Sequence, residues 1–100
     1  MNMQQLMAQA QKMKRELEKA KAALAEQEFK VSKGGAVTVT VLGNKVVKAV
    51  EIDADAFDKD NQDMVQDMIV MAVNEAMEKI EEALEEINER ITGQPGGMGF

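Results

Sequence analysis

The sequence predicts an α+β protein in which a long helix, a small antiparallel sheet and a second long helix follow one another. Two apolar seams at helical spacing, one near each end of the chain, indicate the helices. Between them, apolar and polar residues alternate in steps of two, as strands require. A chain of 100 residues buries only a modest core, so long helices must be covered by each other or by a second copy. We therefore expect a homodimer with a shared β core and coiled-coil-like arms.

Residues 2–28 are predicted to form the first helix. An apolar heptad seam runs through this segment, with spacings that alternate between three and four residues, and neither Gly nor Pro interrupts it. The seam consists of Met3, Leu6, Ala10, Met13, Leu17, Ala20 and Leu24. Such a strict seam is typical of a helix that packs lengthwise against another helix.

Residues 29–52 are predicted to form the sheet. Gly34-Gly35 separates a first short strand from a valine-rich one, and Gly43-Asn44 has the composition of a two-residue type II′ turn. That turn would place Val41 opposite Val46 on one apolar face of the hairpin. A lone hairpin is marginal in water, so this face is predicted to be the dimer interface. Its residues are Val37, Val39, Val41, Val46, Val50 and Ile52.

Residues 58–91 are predicted to form the second helix, after a turn at 53–57. Candidates for its N-cap are Asp58, Asp60 and Asn61. Its apolar stripe consists of Ile69, Val73, Ala76, Ile80, Leu84, Ile87 and Ile91. Gly93 is expected to end the helix, so a single domain spans 1–92 and a disordered Gly-rich tail follows at 93–100.

The composition excludes several kinds of site. The chain has no His and no Cys, which excludes ordinary zinc sites, disulfides and His-activated nucleophiles. It has no glycine-rich phosphate loop, and its acidic segment at 53–63 does not fit a calcium loop. No signal peptide and no membrane-spanning segment is recognisable. We expect a cytoplasmic, non-enzymatic protein without cofactor, metal or small-molecule substrate.

Charge is distributed unevenly along the chain. Residues 1–50 hold nine Lys/Arg and four Glu, giving +5, whereas residues 51–100 hold three Lys/Arg and fourteen Asp/Glu, giving −11. The first helix carries a basic flank beside its seam, made of Lys12, Lys14, Arg15, Lys19 and Lys21. Two interpretations stay open. The flank could contact DNA phosphates without reading bases, or it could be a solvated helix face, which the acidic pI of about 4.6 favours.

Three segments of the chain resemble the YbaB/EbfC family of bacterial nucleoid-associated proteins. They are LMAQAQKMKRELEKAKAAL (6–24), GGAVTVTVLGNKVVKAVEID (34–53) and DADAFDKDNQDMVQDMIVMAVNEAMEKIEE (53–82). The resemblance implies a tweezer-like homodimer with protruding helices that binds double-stranded DNA largely non-specifically and alters its conformation. It implies roles in nucleoid organisation and gene expression. The family's DNA contacts on the first and last helices map onto the basic flank and onto Arg90.

A second function class remains open from the same pattern. A helix–hairpin–helix chain with methionines at the helix tip also resembles prefoldin subunits, which bind unfolded proteins. The tip residues concerned are Met1, Met3 and Met7. A prefoldin-like or adaptor-type dimer would bind proteins through apolar contacts. DNA binding, in contrast, weakens steeply as salt is added.

Overall fold

The computed structural model describes residues 2–93 and confirms the helix–sheet–helix order of an α+β fold. The elements are α1 (Met3–Glu26), β1 (Glu28–Lys33), β2 (Val37–Leu42), β3 (Val47–Ile52), two short 3₁₀ turns (Ala54–Ala56 and Lys59–Asn61) and α2 (Gln62–Thr92). The molecule measures 69 × 22 × 15 Å, and its radius of gyration is 19.0 Å. A compact domain of this length would have about 13 Å, so part of the chain must project from the body. Met1 and the predicted tail from residue 94 onward lie outside the described residues.

The sheet is antiparallel with the strand order β1-β2-β3. Gly34 and Gly35 form the tight turn between β1 and β2, with φ angles of 58° and 66°. The Ala36 N–H closes this turn by donating to the Lys33 carbonyl at 3.0 Å. Glycine adopts positive φ without steric cost, and such mirror-image turns suit the right-handed twist of a hairpin.

The predicted two-residue turn between β2 and β3 was wrong, because residues 43–46 form a longer loop. The N–H groups of Gly43 and Asn44 donate to the carbonyls of Gln27 and Ala25, at 2.9 and 3.3 Å. These two residues therefore hydrogen-bond to the end of α1 and the chain just after it. They still lie at the centre of a hydrogen-bonded turn, because the Lys45 N–H donates to the Leu42 carbonyl at 2.8 Å, but Lys45, with a φ of 70°, adds a third residue to the loop. Helix ends leave carbonyls without intrahelical partners, and the loop supplies donors to this region.

The longer loop changes the strand register. The observed pairs are Val41 with Val47, Val39 with Val50, and Val37 with Ile52. Two successive β2 residues pair with the residues on either side of Lys48. Lys48 is therefore an extra residue of β3 without a partner, which is a β-bulge. The prediction that Val41 lies opposite Val46 was therefore wrong by one residue. Directly opposed residues share a face, so Val47 and Val50 lie on the same side as the β2 valines.

The core lies between the sheet and the N-terminal two-thirds of α2. Its buried residues are Val31, Val37, Val39, Val41, Ala72, Ala76 and Ile80. Alanines on the sheet-facing stripe let the helix approach β1 and β2 closely. Val37, Val39 and Val41 are exposed by only 1%, 0% and 0%, because α2 of the same chain covers them. These three residues of the predicted dimer interface thus belong to the chain's own core and offer no surface to a second copy.

The start and the end of α2 are marked by different devices. Asn61 occupies the N-cap position, but its side chain makes no capping hydrogen bond, and Asp58 instead caps the preceding 3₁₀ turn. Gly93 ends the helix as predicted, with a φ of 72° and its N–H donating to the Glu89 carbonyl at 2.9 Å. Within residues 2–93, no helix is both long and apolar enough to cross a lipid bilayer.

Candidate nucleic-acid interface

α1 forms an arm that is fixed at its base and projects from the body. Its first turn is closed by a capping box, in which the Asn2 side chain accepts from the Gln5 N–H at 2.8 Å and the Gln5 side chain accepts from the Asn2 N–H at 3.2 Å. At its base, the loop hydrogen bonds from Gly43 and Asn44 hold the other end. The capping box keeps the outer turn from fraying and the loop holds the base, so the helix is a rigid support for surface side chains.

α1 and α2 run antiparallel along their C-terminal portions. Leu17 lines the same groove as Thr92, the last residue of α2. Closer to the body, Leu24 is only 6% exposed and lies beside Ile87. Residues 2–16 are all exposed, so the first half of α1 extends past the end of α2. At 1.5 Å per residue, this free segment is roughly 20 Å long.

Three of the predicted DNA-binding residues form a basic stripe on the free side of the arm. Lys12, Arg15 and Lys19 follow one another at spacings of three and four residues, so they share one face of α1. On a helical wheel this face lies nearly opposite Leu17, which packs toward α2. The three cations cover about 10 Å of helix length. Within the described chain, none of the five basic side chains of α1 takes part in an ion pair.

The other two predicted residues lie beside the seam, in different surroundings. Lys21 lines the groove between the helices together with Glu81 and Glu85. Lys14 lies two helical turns farther out, where α2 has already ended. The field at Lys21 is therefore weakened by nearby carboxylates, whereas Lys14 projects into solvent.

Arg90 lies on α2, next to the inner half of α1. It lies beside Ala20, Ala23 and Gln27 of α1, on the side of the helix contact opposite to Lys21. Glu86 lines the same groove. Arg90 therefore lies toward the flank of α1 that carries Lys19, which precedes Ala23 by one helical turn, but it belongs to a different helix from the basic stripe.

The solvent face of the second half of α2 is an acidic ridge. It comprises Glu78, Glu81, Glu82, Glu85, Glu86 and Glu89. Glu81 forms an ion pair with Lys45 of the β2–β3 loop. In the described part of the chain, no three acidic side chains converge closely enough to hold a metal ion. The ridge therefore acts on its surroundings through its charge.

On the polar face of the sheet, a charged pair links β1 and β3. The Lys48 ammonium donates to the Glu28 carboxylate at 2.5 Å. This hydrogen bond and the positive charge of Lys48 lower the pKa of Glu28, and the more distant charge of Lys30 lowers it further. Lys48 is thus neutralised locally, so it adds little positive field at the base of the arm.

β3 is an edge strand whose apolar residues remain uncovered. Val47 and Val50 share the face of the sheet on which α2 lies. α2 contacts mainly β1 and β2, and Val47 and Val50 keep 44% and 42% of their surface exposed. Val46, in the preceding loop, is 52% exposed. The alternating pattern predicted Val46 and Val50 to be interface residues. It did not predict Val47, because the face on which Val47 lies depends on the bulge.

The flank of α2 nearest β3 continues this surface. The opposite flank is fixed by Glu75, whose carboxylate accepts a hydrogen bond from Lys33 of β1 at 3.2 Å. Gln66 lines a hollow together with Ile52 of β3, and Val70 follows it by four residues on the same flank with 58% exposure. We name the combined surface the apolar edge, consisting of Val47, Val50, Ile52 and Val70. Val46, which was also predicted to lie in the dimer interface, precedes Val47 in the loop and has no partner in the register of β2 and β3. Val70 was not predicted to be part of an interface, because it lies outside the apolar stripe of α2.

Comparisons with known proteins agree with this architecture. A sequence profile described as the YbaB/EbfC DNA-binding family matches residues 1–95. A protein from Alkaliphilus metalliredigens named "Nucleoid-associated protein" is 44% identical over 93 residues, which cover 92% of this chain and 82% of that protein. One with the same name from Enterococcus faecalis is 42% identical over 97 residues, covering 95% and 93%.

One solved structure also has this fold. The crystal structure of an uncharacterized protein from Helicobacter pylori superimposes with a TM-score of 0.75, covering 93% of this chain and 99% of that one. Its sequence identity is only 21%, so this likeness concerns the fold alone. The match of the family profile to nearly the whole chain and the identity to the curated relatives lead to one conclusion: the chain belongs to the YbaB/EbfC DNA-binding family.

Proposed function

We propose that this protein is a nucleoid-associated DNA-binding protein that contacts the phosphate backbone of double-stranded DNA through α1. The basic stripe carries the proposal: Lys12, Arg15 and Lys19 share one face of a projecting helix and have no ion-pair partner among residues 2–93. Family membership and the names of the curated relatives support the same function. The role is one of binding, and no catalytic group is assigned.

The composition of the arm favours contact with phosphates over reading of bases. Lys and Arg on an exposed helix face neutralise phosphates and release condensed counterions, which gives affinity without sequence information. α1 contains no aromatic side chain on which a base could stack. We therefore expect largely non-specific binding, and we place the protein in the nucleoid.

The net charge of −6 does not prevent this mode of binding, because the charges are spatially separated. The acidic ridge belongs to α2, whereas the basic stripe lies on the side of α1 that faces away from α2. DNA that approaches the stripe meets cations first, and the ridge lies behind the arm. Beyond a Debye length of about 8 Å at physiological salt, the repulsion from the ridge is largely screened. The expected binding is weak and salt-sensitive.

We further propose that the working form is a homodimer joined through the apolar edge. An uncovered apolar edge strand is a liability that proteins usually cover, and a two-fold axis lets the same surface cover itself. Such a dimer carries two arms at a fixed angle. If both arms contact one duplex, the DNA path must follow that angle, which is how binding would alter DNA conformation and influence gene expression.

The test is fluorescence anisotropy of a short duplex titrated with the protein at several salt concentrations. We expect Lys12→Glu/Lys19→Glu to weaken binding by at least about tenfold at low salt, since reversal turns attractive phosphate contacts into repulsive ones. Lys59→Glu/Lys79→Glu changes the net charge equally but lies outside α1, and it should have much less effect. Equal losses in both variants would mean that only net charge matters and that α1 is not the interface.

Protein binding through the arms is a second candidate function, and one observation favours it. Met3, Leu6 and Met7 at the outer end of α1 are 73%, 49% and 58% exposed. Apolar side chains on a projecting helix are suited to contact other proteins. Capture of an unfolded protein that persists at high salt, without any DNA binding at low salt, would favour this function over the first.

A further inference from the structure

The outer end of α1 differs chemically from the rest of the arm. From residue 2 to residue 11 the helix has no charged side chain, whereas residues 12–21 carry five basic and two acidic ones. Met3, Leu6 and Met13 are 73%, 49% and 37% exposed, although they belong to the apolar seam. We name residues 3–13 the arm tip. The basic stripe does not explain the exposed seam of the arm tip, because apolar side chains neutralise no phosphates.

The exposed seam of the arm tip continues an interface that is already formed. Farther along α1, the same seam packs against α2, where Leu24 is buried and Leu17 and Ala20 are partly covered. α2 ends at Thr92, beside Leu17, so it offers no surface beyond that point. A heptad seam is suited to a second helix, because its side chains alternate between the a and d positions of helix pairing. The arm tip therefore has the shape of half a helix pair.

We propose that the arm tip is a self-association surface on which tips from two different molecules pack as an antiparallel helix pair. Charge favours a second copy as the occupant. Lys12 is the only charged residue of each tip, and antiparallel pairing places the two Lys12 side chains near opposite ends of the contact, so the tips meet with little repulsion. Parallel pairing along the whole of α1 would instead bring two basic segments together. Antiparallel pairing centred on the tip places Met3 opposite Met13 and Leu6 opposite Ala10. It directs the two basic segments away from each other.

The residues that flank the seam fit this arrangement. Gln9 borders the apolar stripe on one side, at position g of the heptad, and Met7 borders it on the other side, at position e. The Gln9 side-chain amide is both a donor and an acceptor, so the same residue on two copies can pair with itself. A surface with this property is self-complementary, which is what a two-fold contact requires.

The tip contact is small, so its effect depends on many molecules being held close together. Eleven helical residues extend roughly 16 Å, and such a contact lies below the ~1,200 Å² typical of stable interfaces. Free molecules should therefore associate weakly through their tips. Molecules held along DNA are present at high local concentration, and there the contact links them, or links two DNA segments. This consequence on DNA rests on the proposed function, whereas the association of tips does not.

Sedimentation velocity over a range of concentrations tests the association without DNA. We expect the average mass to rise with concentration beyond that of the basic oligomer. Met3→Gln/Leu6→Gln should raise the dissociation constant of this association by about tenfold or more, because two apolar contacts per tip are lost. Ala8→Gln, on the face away from the seam, is the matched control and should leave it unchanged. An unchanged rise in the seam variant, or an equal loss in the control, would overturn the proposal.

Disulfide cross-linking tests the antiparallel geometry of the tips. The chain contains no cysteine, so only the introduced thiols can react. A mixture of Leu6→Cys and Ala10→Cys proteins should give mixed cross-linked pairs in preference to either self-pair. Protection of the Leu6→Cys thiol that does not depend on concentration, and disappears when residues 94–100 are removed, would show that the chain's own tail covers the tip and would overturn the proposal. Capture of an unfolded protein by the tip, without self-association, would overturn it as well.

DNA measurements separate this proposal from the proposed function. Met3→Gln/Leu6→Gln should bind a short duplex, which holds one molecule, with unchanged affinity, but should lose the bridging of two long duplexes in a pull-down. If the unmodified protein binds no duplex at all, the proposed function fails, while concentration-dependent association of the tips still supports the inference. If the protein binds duplexes but the seam variant still bridges them, the inference fails alone.

Discussion

Gly43 lies directly against the end of α1, so that a Cβ atom at position 43 would overlap the carbonyl oxygen of Leu24. The contact joins the β2–β3 loop to the base of the arm. The Gly43 N–H, which donates to the Gln27 carbonyl at 2.9 Å, reinforces it. Since backbone atoms form both sides of this joint, neither side can move without shifting a whole element. The direction of the arm relative to the sheet is therefore set by the absence of a side chain at position 43.

Gly43→Ala is predicted to lower the free energy of unfolding by about 1–3 kcal/mol, the usual cost of overpacking, or to tilt the arm away from the body. Urea denaturation followed by circular dichroism measures the first effect. The control is Gly35→Asn, at a turn position with φ of 66° and no neighbouring atom within 4 Å. Asparagine tolerates that conformation, so the control should lose less stability. Equal losses would mean that the contact with Leu24 costs nothing to disturb.

The position of Glu85 predicts that α2 restrains DNA binding by the arm. Glu85 lines the groove that contains Lys21, so its charge opposes the attraction of that lysine for phosphate. Glu85→Gln should raise the affinity for a short duplex on the order of twofold at low salt, and less as salt is added. Asp55→Asn makes the same change in net charge far along the chain from the arm. If both variants raise the affinity equally, the effect comes from total charge and not from the groove.

The exposure of β3 predicts which valine substitutions disrupt the proposed dimer and which disrupt the fold. Val50→Lys places a charge on the apolar edge, where 42% of the side chain is exposed, so the monomer should stay folded while the dimer dissociates. Val39→Asp places a charge at a fully buried position and should unfold the chain, at a cost of several kcal/mol. Light scattering coupled to size-exclusion chromatography gives the mass, and circular dichroism gives the fold. Glu51→Lys, next to Val50 on the opposite face of the strand, is the control. A Val50→Lys protein that keeps the dimer mass would place the interface elsewhere.

Local periodicity was sufficient to predict the helices and strands. The heptad spacing from Met3 to Leu24 depends only on which residues share a helix face, and α1 extends from Met3 to Glu26 as that spacing requires. The same reasoning grouped Lys12, Lys14, Arg15, Lys19 and Lys21 as one basic flank, but it did not separate Lys21, which lies in the groove beside Glu81 and Glu85, from the residues on the free face. It could not show that α2 ends beside Leu17, because the crossing point of two helices depends on how both pack onto the sheet.

Relations between distant residues were not predictable from patterns. Gly43 was assigned to a two-residue type II′ turn, and it does lie in a turn closed by the Lys45 N–H and the Leu42 carbonyl. Its φ is not positive, and the need for glycine is set instead by Leu24, nineteen positions away. Alternation correctly indicated that Val39 and Val50 belong to one apolar face. It could not show that α2 covers the first and leaves the second exposed, since a single sequence does not reveal which element lies over which strand.

The Glu28–Lys48 pair predicts a small loss of stability in acid with a defined sign. Because Lys48 lowers the pKa of Glu28, the folded state favours the ionised carboxylate more than the unfolded state does. The stabilisation is thus fully present above the ordinary glutamate pKa and is lost as the pH falls through the lowered value. Carboxyl carbon NMR should show that Lys48→Met raises the pKa of Glu28 markedly, whereas Lys30→Met raises it less, because Lys30 contributes the smaller part. An unchanged pKa in the Lys48→Met protein would mean that the pair does not persist in solution, and the link between β1 and β3 on the polar face would then rest on β2 alone.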